Sequence, residues 1–112
     1  MADEGFGGGM REQLMDLLEY RVVLGALITT MDGLVITHAG LSPDDAEMLA
    51  AASSSQPDDN PYSFDQTSGG TLHVLRGNDI RLILLTEMDV PQSAITGLMS
   101  QHLTALEESL AV

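Results

Sequence analysis

The chain has 112 residues, with seventeen acids against four basic residues, all arginine, a formal charge of −13 and no cysteine. That length makes one domain around one core and is too short for two. The charge opposes nucleic acid and anionic membrane as partners, and the missing Cys and Lys exclude disulfides, thiolate nucleophiles, Cys-ligated metals and a lysine-bearing phosphate loop.

Apolar residues make up 44% and aromatic residues only 4%, so the core must be built from Leu, Val, Ile, Ala and Met. Residues 1–9 (MADEGFGGG) read as a flexible N-terminal tail, and residues 10–112 as the single domain. The start lacks a basic, apolar leader pattern, and no apolar run approaches bilayer length, so a soluble, cytoplasmic protein is expected. Met10, Leu14, Leu17 and Leu18 recur at helical spacing, with Glu12, Asp16 and Glu19 on the other side, so a first helix should end near Tyr20. Residues 22–30 are apolar at even and odd positions, which marks a strand covered on both faces. Asp32-Gly33 predicts a two-residue type I′ turn into a shorter strand, residues 34–38, nearer an edge.

A second helix is signalled by Ser42 as cap, Pro43 in the first turn, and Asp44 and Asp45 at the positive end of the helix dipole. Its small side chains suit close packing. Residues 56–61 (QPDDNP) read as a loop. Residues 61–67 form a one-sided strand, with Tyr62 and Phe64 on one face and Ser63 and Asp65 on the other, and Pro61 places it at an edge. Two further strands follow, residues 71–76 and 80–87, joined by Gly77-Asn78-Asp79; the second is apolar on both faces and therefore central. The last helix begins near Pro91, with a stripe of Ile95, Met99, Leu103, Leu106 and Leu110, and Leu98 beside it. The order α-β-β-α-β-β-β-α implies an α+β fold: one five-stranded antiparallel sheet, the middle helix on one face and the first and last helices together on the other.

Catalytic and cofactor signals are sparse. No Rossmann glycine fingerprint or nucleophile elbow is present. Ser53, Ser54 and Ser55 fit helix capping. His38, His73 and His102 fall on separate elements, away from any metal-ligand spacing; the two strand histidines are expected to be half-buried, and His102 to border the last helix's stripe. No metal, no cofactor and no catalytic residue is therefore expected. Arg81 lies in a central strand, where a nearby acid would be its ordinary partner and a finger for a GTPase the sharper reading.

Taken in order, the first helix, LGALITTMDGLVITHAG, the Ala-rich AEMLAAAS and GGTLHVLRGNDIRLILLTEMDVPQSAITGLM resemble the roadblock domain family. That family includes roadblock-type dynein light chains and the bacterial gliding-motility regulator MglB. The matching positions are Leu24-Gly25-Ala26-Leu27, Asp32-Gly33-Leu34, Leu49-Ala50-Ala51, the run from Leu82 to Leu85, and Pro91, over about residues 10–110. The resemblance implies the profilin-like roadblock fold and a noncatalytic dimeric module that binds and regulates a Ras-like small GTPase. A scaffold for a kinase or motor complex and a small-ligand sensor on the same fold are the alternatives. It further implies a homodimer in which the edge strand pairs with its copy and the middle helices lie side by side. Met48, Ala51, Ala52, Ser55, Tyr62, Ser63 and Phe64 would form that interface. Asp44, Asp45, Glu47, Met48 and Ala52 would meet the partner, two copies bringing six acids around a small-residue surface that attracts a basic patch.

Overall fold

The computed structural model describes residues 7–54, 62–67, 69–88 and 90–111. Helix α1 (Gly7–Leu18) leads into strands β1 (Val23–Thr30) and β2 (Val35–Ala39), helix α2 (Pro43–Ser54), strands β3 (Tyr62–Thr67), β4 (Gly70–Arg76) and β5 (Ile80–Thr86), and helix α3 (Gln92–Ala111). The five strands form one antiparallel sheet in the order β2-β1-β5-β4-β3. The expected α+β architecture and element order are those observed. The loop expected over residues 56–61 lies outside the described residues.

Side-chain alternation divides the core between the two sheet faces. On one face Ala26, Ile28, Leu75, Leu82 and Leu84 pack under Leu14 and Leu17 of α1 and Ile95, Met99, Leu103 and Leu106 of α3. On the other, Leu27, Leu72, Val74 and Ile83 pack under Ala46 and Ala50 of α2. The α3 residues fall at three- and four-residue steps, as the stripe in the sequence requires. Strand β4 is buried on both faces like β1 and β5, although it carries Thr71 and His73.

Two local expectations change, and the expected β4–β5 hairpin gains a distant partner. Helix α1 begins at Gly7, so the glycines at its start belong to the helix and not to the tail. The first-turn N–H groups have no intrahelical acceptor in any sequence, and the docking of Leu14 and Leu17 holds the turns that follow. The β1–β2 connection is not a type I′ turn, because among the described residues no non-glycine residue has a positive φ. Instead Gly33 N–H donates to Thr30 O at 3.0 Å, and Thr30 N–H to Leu34 O at 2.9 Å. Met31, Asp32 and Gly33 thus form a three-residue loop in which only Gly33, at φ 93°, turns left-handed. Finally, the β4–β5 connection is held from a distance. The Glu107 carboxylate accepts the N–H groups of Asn78 and of Asp79, the latter at 3.2 Å, from the last turns of α3.

Gly70 opens β4 at φ 145°, and a Cβ there would stand 2.1 Å from the Thr86 carbonyl oxygen of β5. The neighbour is backbone and cannot swing aside. Gly70→Ala is expected to lower the unfolding free energy by at least about 2 kcal/mol, read as a lower urea midpoint at unchanged slope.

Candidate functional site

The surface built by α2 and β3 carries the residues that the sequence marks as functional. Ser42 caps α2: the Asp45 N–H donates to its Oγ at 3.1 Å. Asp44 and Asp45 then sit in the first turn, where unpaired N–H groups favour negative charge. The underside, Ala46 and Ala50, is sealed on the sheet, and the small side chains bring the helix close. The buried Ser53 hydroxyl donates to Ala50 O at 2.8 Å. This satisfies the group inside the helix.

Asp44, Asp45, Glu47, Met48, Ala51 and Ala52 all face outward, and Met48 is 61% exposed. They do not share one side of the helix. Asp45, Met48 and Ala52 line an apolar groove of about 380 Å³ with Leu41, Leu49, Gly69 and Leu85, toward the β3–β4 connection. Glu47 and Ala51 line a second groove with Gly33, Leu34 and Val35, toward the β1–β2 hairpin. Residues four apart stack in rows along a helix, so these two rows diverge. Ser55 lies outside the described residues.

The edge strand presents its residues differently from a single patch with α2. Tyr62 pairs with Leu75 and Phe64 with His73, and these belong to the face that α1 and α3 cover. Ser63 pairs with Val74, on the face of α2. Tyr62 and Phe64 therefore meet α2 only around the edge, because the two-residue period of the strand sends them to the opposite side of the sheet. Phe64 remains 44% exposed, its ring 6.4 Å from that of Tyr62.

His73 is 1% exposed, not half-buried. A hydrogen-bond chain makes this tolerable. The Thr86 hydroxyl donates to Glu87 O at 3.0 Å, so its oxygen accepts from His73 Nε2–H at 2.9 Å. Nδ1 is then unprotonated and accepts from Tyr62 O–H at 2.8 Å. Burial holds the imidazole below its ordinary range, in the neutral form that this chain of bonds requires. Burial also pushes the Tyr62 phenol up, against the downward pull of a hydrogen bond with Thr96 of α3. The edge strand is thus tied through one buried histidine to β5, a link that no spacing in the sequence announces. His38 is half-buried as expected. His102 borders the α3 stripe, with its Nδ1 2.9 Å from Gln13 Oε1 of α1.

Arg81 is buried, 5% exposed, under the α2 face of β5, which leaves no guanidinium projecting from that strand as a finger. Among the described residues no three His, Cys, Asp or Glu side chains are grouped to hold a metal. No helix among them is long and apolar enough to cross a membrane.

The described residues thus form an antiparallel sheet covered by one helix on one face and a helix pair on the other, with an exposed helix row beside the β3 edge. Comparison with solved structures gives it a family likeness. The chain is similar to the Roadblock/LC7 domain from Streptomyces avermitilis, with 25% identity, 84% of this chain and 94% of that chain covered, and a TM-score of 0.74. It is similar to the gliding protein MglB from Thermus thermophilus at 17% identity, with 89% and 87% covered and a TM-score of 0.72. A third likeness is to MglB in a tetrameric arrangement, at 18% identity, with 91% and 88% covered and a TM-score of 0.74. Neither a family model nor a curated protein matches the sequence. The fold is that of roadblock/LC7 domains, as the sequence resemblance implied.

Because His73 is held neutral when folded, the unfolded chain binds a proton there that the folded chain refuses once the pH drops below the ordinary value of 6.5. The stability is full above that pH and falls below it. Urea midpoints from pH 7.5 to 5.5 should decline, and the decline should be smaller in His73→Asn, measured against its own midpoint at pH 7.5.

Proposed function

We propose that this chain is a noncatalytic, cytoplasmic, homodimeric module that binds and regulates a Ras-like small GTPase. The observation that carries the reading is the outer face of α2: apolar at Met48, small at Ala51 and Ala52, and flanked by Asp44, Asp45 and Glu47, on a roadblock/LC7 fold. The resemblance to a family of GTPase-binding and tethering modules supports it. The dimer would join β3 to its copy and set α2 beside its copy. The Met48 and Ala52 rows of the two copies would adjoin across the dimer axis with their outer sides left open, while Tyr62, Ser63 and Phe64 would line the strand edge and Ser55 would stand at the end of the helix. Strand pairing combined with helix packing can exceed roughly 1,000 Å² in total, the lower bound for a specific contact.

The same helix pair would present the GTPase with its platform. With a charge of −13 the chain repels acidic surfaces and draws in a Lys- or Arg-bearing one, at a rate that falls as salt rises. The acids at the rim govern association, and the apolar centre carries more of the affinity.

Light scattering at tens of micromolar should give a dimer mass. A GTPase recovered from the native cell should bind in a nucleotide-dependent way. Met48→Asp should abolish that binding, whereas the triple change Asp44→Asn, Asp45→Asn, Glu47→Gln should mainly slow association. If both variants bind normally while changes at Gln92 and Gln101 of α3 abolish binding, the platform is on the other face. Capture of a kinase or motor subunit with no nucleotide dependence would favour the scaffold reading.

A further inference from the structure

We propose that β3 pairs with its own copy in one register, centred on Phe64, in which the Ser63 hydroxyl donates to the carboxylate of the partner's Asp65. The proposal rests on the dimer reading above and adds which residues face each other.

The two sheet edges are not equivalent. The β1–β2 ladder shifts register between Ile28 and Thr29: Ile28 faces Thr37 and Thr29 faces Val35, so β2 holds one more residue than its partner there. Such a bulge twists an edge and spoils it for regular pairing. Strand β3 pairs residue for residue with β4 from Tyr62 to Thr67 and has no shift. It is the edge fit to receive another strand.

Setting both α2 helices on the same side of the joined sheet requires a two-fold axis perpendicular to it. Sheet faces are then shared, and directly opposite residues must point to the same face. Only registers centred on a residue satisfy this. A centre at Tyr62 wastes most of the six-residue strand. A centre at Ser63 sets Asp65 opposite the partner's Pro61, which has no N–H to give to a ladder. A centre at Asp65 sets two carboxylates directly opposite, which destabilises. A centre at Phe64 pairs Tyr62 with the partner's Gln66 and Ser63 with the partner's Asp65.

Ser63 Oγ supplies the independent observation. It is buried, and among the described residues no atom hydrogen-bonds to it. A buried hydroxyl without an acceptor is costly. Asp65 is exposed and points to the same sheet face, two residues along. In the Phe64-centred register the partner's Asp65 stands directly across from Ser63, and a turn about the serine Cα–Cβ bond aims the hydroxyl at its carboxylate. On the other face the two exposed Phe64 rings meet across the axis, each already stacked on its Tyr62.

The chain has no cysteine, so single cysteines can be placed one at a time at positions 62 to 66. Opposite Cα atoms lie about 4.5–5.5 Å apart, within disulfide reach. Residues one step from the centre lie about 8 Å from their own copies, beyond it. Under mild oxidation Phe64→Cys should cross-link to itself. Ser63→Cys and Asp65→Cys should not when made singly, but should when combined in one chain. Met88→Cys, exposed elsewhere, sets the background from collisions. A cross-link at Ser63→Cys or Asp65→Cys without one at Phe64→Cys moves the register and overturns the proposal. Absence of any cross-link while light scattering reports a dimer rejects strand pairing but leaves the dimer standing; a monomer mass removes both.

Discussion

Strands β1 and β5 run antiparallel through the middle of the sheet, where Leu27 faces Ile83 and Ile28 faces Leu82. Each pair stacks apolar side chains, one pair on each face, and all four residues are wholly buried. Each contributes roughly 1.5–3 kcal/mol by leaving water. That gain exists only if both faces are covered, and the helices on either side follow from it. Helices α1 and α3 cover one face together, and the short α2 covers the other with Ala46 and Ala50 against the sheet. An apolar underside of alanines makes a close contact but a small one. The outer rows of α2 are correspondingly near the sheet and its edge, where they can take part in binding.

The same parity rule that buries the centre decides what the edge shows. Along β3, alternate residues go to the helix-pair face and to the α2 face, so its aromatic and its polar residues cannot form one patch. Tyr62 is held inward through His73, whose second nitrogen is held by Thr86. The edge strand is therefore anchored at its start by a buried polar chain and exposed at Phe64, next to the anchor. A fixed main chain lowers the ordering cost that any added strand must meet.

Much of this was legible in the sequence because it depends on local patterns with strong physical causes. Ser42-Pro43-Asp44-Asp45 could only begin a helix, the spacing from Ile95 to Leu106 could only make a one-sided one, and runs apolar at both parities could only be central strands. What stayed hidden depends on contacts distant in sequence. His73 looked half-buried because the hydroxyls that satisfy it lie eleven and thirteen residues away. Nothing around Glu107 in the sequence announces that its carboxylate holds a hairpin twenty-nine residues earlier. Gly25 in a buried strand had no visible reason until the Leu41 side chain was found where its Cβ would be, 2.5 Å away. The division of α2 into two rows was present in the four-residue spacing, but which row meets which groove depends on where the helix lies on the sheet.

Charge sets the final condition on any self-association. Two copies of a chain at −13 repel, so they can meet only where acids are sparse or far apart. Strand β3 carries one acid in six residues. Helix α2 carries Asp44, Asp45 and Glu47 near its start and none after them. A two-fold axis perpendicular to the sheet makes the two α2 helices antiparallel, with Met48 and Ala52 close to the axis. From there to the first turn is about six residues, or roughly 9 Å at 1.5 Å per residue. The first turns of the two copies then stand about 18 Å apart, more than twice the screening length of about 8 Å at physiological salt. Asp44 and Asp45 of the two copies would form pairs at opposite ends of the platform, with each Glu47, about three residues or roughly 4.5 Å from the axis, nearer its centre. A dimer so arranged keeps its own repulsion screened and offers a basic partner two separate anchors flanking an apolar middle.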